Sequence, residues 1–195
     1  MRVKGISRRQ FIQSSAITTC SLLFFSNCSF QNNNLSWRFF TSDEALLMDA
    51  IVEQIIPSDE WPGAKDAKVT NYIDRQLSSR YKRFQEDYRN GLNFIKLSCE
   101  QLFNETFENI YWDKQTQFLK DMEAGSLSEL KSDKVNSYDK LIWIDGFERT
   151  FFNLLRDHTM QGFYGSPRHG GNKDYVSYRM IGLDSLPIIG QNRYK

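Results

Sequence analysis

Residues 144–162, IDGFERTFFNLLRDHTMQG, decide the fold class of this chain. Apolar or small residues return every three or four positions along this stretch, which is the repeat that places side chains on one face of an α-helix. The stretch therefore predicts a long amphipathic helix with one buried face. The residues expected on that face are Ile144, Phe147, Phe151, Leu154, Leu155, His158 and Gly162.

A second amphipathic helix is predicted to begin at residue 41. Thr41 is followed three residues later by Glu44, which is the spacing of a capping box at a helix start. An apolar stripe with a step of four follows, and Pro57 ends the helix because proline is common just beyond a helix end. The stripe comprises Leu47, Ile51 and Ile55.

Three more helical patterns lie between these two. They cover residues 66–79, residues 81–103 and a short stretch after Asp113, and a polar connector over 125–137 precedes the last helix. No stretch alternates between apolar and polar residues as a half-buried strand would. Short connections between amphipathic helices favour an all-α fold, a compact antiparallel helical bundle with a glycine-rich C-terminal loop region.

The N-terminus has the features of an export signal, so residues 1–30 are left out of the fold argument. Arg8 and Arg9, followed by Phe11, resemble the twin-arginine motif, and a plain secretory or uncleaved segment is the alternative. The apolar run over 16–25 is too short to span a bilayer, which takes about 20 apolar residues. The chain is therefore expected to be exported by the twin-arginine translocase to the periplasmic side of the cytoplasmic membrane or the cell envelope.

Residues 25–28, FSNC, resemble a lipoprotein cleavage box. Lipidation of Cys28 and cleavage without lipidation both stay open on this pattern. The expected organisation is a signal over 1–30, a tether over 31–40, a helical domain over 41–187 and a tail over 188–195.

Composition and motifs exclude several classes of protein. The chain carries 25 Lys and Arg against 24 Asp and Glu. It therefore lacks the excess of positive charge that is typical of nucleic-acid-binding proteins. It has no Cys-x-x-Cys-His for haem attachment and no glycine-rich dinucleotide fingerprint. No catalytic, cofactor-binding or metal-binding residue is therefore expected. His158 lies on an apolar stripe and is expected in the core, and Cys99 is expected to be a buried structural thiol.

Residues 162–172, GFYGSPRHGGN, form the most unusual stretch. Four glycines and one proline predict an ordered loop that closes the last helix. Tyr164, Arg168, His169 and Asn172 are expected to be exposed and able to contact a surface or an anion, although His169 is equally compatible with simple turn filling. The candidate partner interface is Phe163, Tyr164, Pro167, Arg168, His169, Gly170, Gly171 and Asn172.

Together with His158-Thr159, this stretch resembles the gluconate 2-dehydrogenase subunit 3 family, and so do three upstream segments. Those segments are Ile55-Ile56-Pro57-Ser58-Asp59, Gly63-Ala64 and Tyr72-Ile73-Asp74. The resemblance runs from about residue 41 to residue 187. His169 departs from the aromatic residue that is common in the family, and Tyr178 departs from the usual Trp.

The resemblance implies a non-catalytic accessory subunit that binds, stabilises and co-exports a flavin-dependent dehydrogenase of the glucose–methanol–choline type. Such an enzyme oxidises sugars or sugar acids and works with a cytochrome c subunit, so FAD and haem c are expected in the partner subunits. Two alternatives remain. One is a membrane-tethered exported lipoprotein with a structural role, and the other is an independent enzyme that uses His158 or His169 as acid and base.

Overall fold

The computed structural model describes residues 37–127 and 146–183 of the chain, and the described part is helical with no strand. This confirms the predicted all-α bundle. The described residues form six α-helices, which are α1 Ser42–Ile55, α2 Val69–Leu77, α3 Gln85–Phe103, α4 Trp112–Ala124, α5 Phe147–Tyr164 and α6 Val176–Met180. Single 3-10 turns cover Lys82–Phe84, Pro167–His169 and Lys173–Tyr175.

The capping box predicted at the start of α1 is confirmed. The Thr41 hydroxyl accepts a hydrogen bond from the Glu44 amide, and the Glu44 carboxylate accepts one from the Thr41 amide. The helix ends at Ile55, two residues before Pro57, as predicted. Both ends of α1 are therefore determined by short-range sequence signals.

The predicted starts of α2 and α3 are wrong by three and four residues. Lys68 adopts a left-handed conformation with φ of 60°, so the segment before Val69 forms turns and α2 begins later than residue 66. Tyr81 and the 3-10 turn after it precede α3, which begins at Gln85. Here the Tyr81 ring stacks on His158, and this tertiary contact prevails over the local helical pattern.

Helix α5 is the centre of the bundle, because it packs against α1, α2, α3, α4 and α6. Its buried face carries large apolar side chains, and Gly91 of α3 provides the space for one of their rings. A Cβ atom at residue 91 would overlap the Phe151 ring. The fully buried apolar residues of this face are Phe151, Leu155 and Phe163.

Residues 37–40 belong to the folded body, which corrects the predicted tether over 31–40. Phe40 is buried, and Trp37 and Phe39 pack partly buried against the core. The apolar side chains of these residues explain the difference, since three of the four are aromatic.

The other predicted N-terminal features, including Arg8, Arg9, Phe11 and Cys28, lie outside the described residues. The same holds for Ile144, for the connector beyond residue 127 and for the tail over 188–195. Within the described ranges, no helix is both long and apolar enough to cross a membrane.

Candidate functional site

The glycine-rich loop leaves the end of α5 and is built from tight turns, as the sequence predicts. Gly165 donates its amide to the Gln161 carbonyl at 2.9 Å and ends the helix. Pro167 then starts a 3-10 turn that closes at Gly170, whose φ is 103°. Side chains rarely adopt that angle, so glycine is needed at this position.

Asn172 holds the two ends of the loop together. Its side-chain amide donates to the Gly165 carbonyl at 2.8 Å, and its side-chain oxygen accepts from the Ser177 amide at 3.0 Å. Asn172 is fully buried and has a φ of 44°, a left-handed angle that asparagine tolerates. The expectation that Asn172 is exposed is therefore wrong, because its hydrogen-bonding groups are used inside the loop.

Helix α2 fixes the loop from the other side. Asn71 donates its side-chain amide to the Gly170 carbonyl at 2.8 Å, and Lys173 donates its amide to the Ala67 carbonyl at 3.0 Å. A Cβ atom on Gly162 would lie 2.9 Å from both Tyr72 and Val69, so α5 and α2 approach closely only because residue 162 is glycine. The loop is thus hydrogen-bonded to α2 and to the segment just before it, and it forms part of the packed bundle.

The structure divides the eight predicted interface residues into three groups by their exposure. Phe163, Gly171 and Asn172 are buried and shape the loop from within. Tyr164, Arg168 and His169 are exposed, with Tyr164 half exposed at 50% and its ring edge-on to Phe163. Pro167 and Gly170 are intermediate. The surface available to a partner is therefore narrower than the sequence predicts.

His158 lies in a buried cluster of tyrosines, which confirms its predicted place in the core. Its Nδ1 atom lies 2.9 Å from the Tyr88 hydroxyl, and the Tyr81 ring stacks on the imidazole with 4.4 Å between centroids. Burial lowers the pKa of His158 to about 4 and raises the pKa of Tyr88 well above its usual range. Tyr81 also hydrogen-bonds Gln161, one helical turn beyond His158. A neutral, hydrogen-bonded ring of this kind serves packing.

Cys99 is buried in α3, as predicted, and burial raises its pKa to about 12. A thiol with such a pKa is inert near neutral pH. Among the described residues, no group of three or more His, Cys, Asp or Glu side chains is arranged to hold a metal ion.

Asp74 forms a site that the sequence analysis missed. Its buried carboxylate accepts hydrogen bonds from three consecutive backbone amides, at 2.9 Å from Arg38, 2.9 Å from Phe39 and 3.0 Å from Phe40. We call this arrangement the Asp74 clamp. It fixes the chain where the N-terminal extension joins the body. The sequence contains one indication of this site, because Asp74 lies between Ile73 and Leu77 on the buried side of α2.

Arg89 reinforces the clamp from α3. Its guanidinium pairs with Glu44, donates to the Phe39 carbonyl at 2.6 Å and lies 4.1 Å above the centre of the Phe39 ring. The backbone of Phe39 is therefore held through its amide by Asp74 and through its carbonyl by Arg89.

A protein-family model described as gluconate 2-dehydrogenase subunit 3 matches residues 42–184. The matched range begins at the first residue of α1 and contains both the glycine-rich loop and Asp74. Comparison with curated proteins and with solved structures gives no match.

Proposed function

The chain belongs to the gluconate 2-dehydrogenase subunit 3 family, and on that premise we propose that it binds, stabilises and co-exports a flavin-dependent dehydrogenase of the glucose–methanol–choline type. The family match across most of the chain carries this proposal, because the family is named for a subunit of a dehydrogenase. In the proposed complex the flavin and the haem c belong to the partner subunits. The substrate is a sugar or a sugar acid.

The geometry of the glycine-rich loop supports a binding role. Its backbone is held by Asn172 and Asn71, so little conformational entropy is lost when its surface meets a partner. Tyr164 and Arg168 present the residue types that are enriched at protein interfaces. The alternative of an independent enzyme is less well supported, since His158 is buried and engaged with Tyr88.

The test of binding is a pull-down of the tagged full-length chain from its native host. The eluate is analysed by mass spectrometry, by its flavin absorbance spectrum and by dehydrogenase activity. We expect a stoichiometric larger flavoprotein, with activity in the complex and none in the isolated chain. A clean monomer without flavin would refute the proposal and favour the membrane-tethered lipoprotein instead.

We further propose that the N-terminus is a twin-arginine signal that takes the pair to the periplasmic side of the membrane. The test replaces Arg8 and Arg9 by Lys and follows both proteins in cell fractions, with Arg2→Lys as the control in the same basic segment. We expect both proteins to stay in the cytoplasm only when the pair is changed. Normal export of the flavoprotein by the double variant would exclude co-export.

Lipidation of Cys28 is proposed as an additional attachment to the membrane, on the basis of its cleavage-box pattern. One lipid chain alone gives only marginal binding to a membrane. We therefore expect Cys28→Ser to shift the chain towards the soluble periplasmic fraction, with a loss of the acyl mass from the mature protein. If the mass of the wild-type mature protein includes no acyl group, this attachment is ruled out.

A further inference from the structure

Helix α2 and the glycine-rich loop bring positive charge together on one surface. Asn71 and Arg75 are four residues apart and so lie on one face of α2, and exposed Lys68 immediately precedes the first residue of that helix. Asn71 is the residue that binds the Gly170 carbonyl, and the Arg75 side chain lies against Gly170. This face of the helix therefore borders the loop directly.

The loop adds further basic groups beside this helix face. Arg168 and His169 are exposed on the 3-10 turn that packs against α2, and exposed Lys173 follows Asn172. The Lys173 amide is bonded to the Ala67 carbonyl, next to Lys68. We call the resulting surface the basic face. It consists of Lys68, Arg75, Arg168, His169 and Lys173.

The charge of the described residues is unevenly distributed. Residues 64–85 and 162–183 carry nine Lys and Arg against three Asp and Glu, and one of those three is the buried Asp74. The remaining described residues carry seven Lys and Arg against sixteen Asp and Glu. The acids that interact with these five residues include Asp174, which lies 3.9 Å from Lys173 with its side chain 72% exposed, and Asp49 of α1, which interacts electrostatically with Lys68. The exposed contact with Asp174 neutralises little charge.

We propose that the basic face docks onto an acidic surface of a folded protein partner. This inference rests on the proposed function, because it identifies the surface through which the dehydrogenase is bound. Complementary charge steers association and fixes the orientation of two proteins. Screening limits this attraction to roughly 8–10 Å in physiological salt, so a partner senses mainly the charges of the surface that it contacts.

An anionic membrane is the competing occupant, and the structure favours a protein. The described residues outside the basic segments are strongly acidic, and a lipid surface that extends past the small basic face would repel them. Arginine, histidine and the adjacent Tyr164 in a fixed backbone suit the directional hydrogen bonds of a protein surface.

The experiment reverses two charges of the basic face and measures affinity for the flavoprotein recovered with the wild-type chain. The variant Lys68→Glu/Lys173→Glu changes two exposed side chains, and Lys96→Glu/Lys120→Glu makes the same charge change on α3 and α4. We expect the dissociation constant to rise at least about tenfold for the first variant and to be unchanged for the control. Wild-type binding is also expected to weaken as salt rises from about 0.05 to 0.3 M.

Each outcome separates this inference from the proposed function. If no flavoprotein is recovered with the wild-type chain, both fail. If the flavoprotein binds equally to the wild type and to the basic-face variant, the proposed function stands and docking through the basic face is refuted. If the variant instead loses binding only to vesicles of phosphatidylcholine with about a third phosphatidylglycerol, the occupant is an anionic membrane and the inference is overturned.

Folding of the variants is monitored by circular dichroism during thermal unfolding. If Lys68→Glu/Lys173→Glu unfolds, the neutral pair Lys68→Gln/Lys173→Gln replaces it. A smaller rise in the dissociation constant, about threefold or more, is then expected. An unchanged value for that folded pair would also refute the basic face.

Discussion

Replacement of Asp74 by Asn tests how strongly the Asp74 clamp stabilises the fold. The carboxylate accepts from the amides of Arg38, Phe39 and Phe40 at 2.9–3.0 Å in a buried position. Hydrogen bonds to a charged group contribute about 1.5–3 kcal/mol each, against about 1 kcal/mol for neutral ones. Asn keeps one acceptor oxygen but turns an NH₂ group towards an N–H donor.

The cost of Asp74→Asn follows from these values. The bonds from Phe39 and Phe40 go to Oδ1 and each lose about 1 kcal/mol when the charge is removed, and the partly buried Arg38 amide loses its 2.9 Å bond to Oδ2 at about 1 kcal/mol. The free energy of unfolding should therefore fall by about 3 kcal/mol. For a chain of this size each kcal/mol lowers Tm by about 2–4 °C, so the fall in Tm should be about 6–12 °C.

Two assays measure the effect. Thermal unfolding gives the change in Tm, and limited trypsin digestion reports local opening, because trypsin cleaves the bond after Arg38 inside the clamp. We expect cleavage at that bond to become at least about tenfold faster in Asp74→Asn, since proteolysis follows the population of the open form.

The control is Asp174→Asn, an exposed aspartate whose replacement should change stability by less than about 0.5 kcal/mol. Asn also tolerates the positive φ of residue 174. An Asp74→Asn protein with wild-type Tm and an unchanged rate of cleavage after Arg38 would show that the carboxylate does not hold this segment.

Three further predictions concern the interior. Gly91→Ala should lower the free energy of unfolding by about 2 kcal/mol in urea titrations, because the added methyl group overlaps the Phe151 ring. Since the folded-state pKa of His158 is lowered to about 4, its neutral form supports the fold above pH 6.5, and up to about 3 kcal/mol should be lost as pH falls from 6.5 towards 4. Cys99, with its pKa raised to about 12, should resist iodoacetamide at pH 8 in the native protein and react once urea unfolds it.

Matched measurements check each of these three. Asn90→Ala, at an exposed neighbour of Gly91, should change stability by less than about 0.5 kcal/mol. His158→Gln should flatten the dependence of stability on pH between 6.5 and 4, and an unchanged slope would assign that dependence to carboxylates. Labelling of Cys99 in the native protein at the rate of the unfolded one would contradict its burial.

Local signals explain the part of the fold that the sequence predicts well. The start of α1 depends on Thr41 and Glu44, three residues apart, and its end depends on the nearby Pro57. The place of His158 follows from its position on an apolar stripe of α5. These features depend on residues within one or two helical turns, so they can be predicted from the sequence without the tertiary structure.

Long-range contacts explain what the sequence does not show. Asp74 binds residues 34–36 positions earlier in the chain, and no local pattern pairs those positions. Asn172 is a polar residue in a glycine-rich stretch, which is typical of an exposed loop. It is buried because its side chain hydrogen-bonds to the backbone at both ends of the loop. The delayed start of α3 has the same origin, since Tyr81 stacks on a histidine 77 residues later in the sequence.

The central position of α5 has a consequence for how the protein is made. Synthesis proceeds from the N-terminus, and domains generally acquire their folds as units once their sequence has emerged from the ribosome. Helices α1 to α4 are complete by Ala124, but the helix they surround begins only at Phe147. Until α5 has been synthesised, their apolar faces have no central helix to cover them. We therefore expect the nascent chain to expose apolar surface until α5 has emerged, and the bundle to close late in translation or after it.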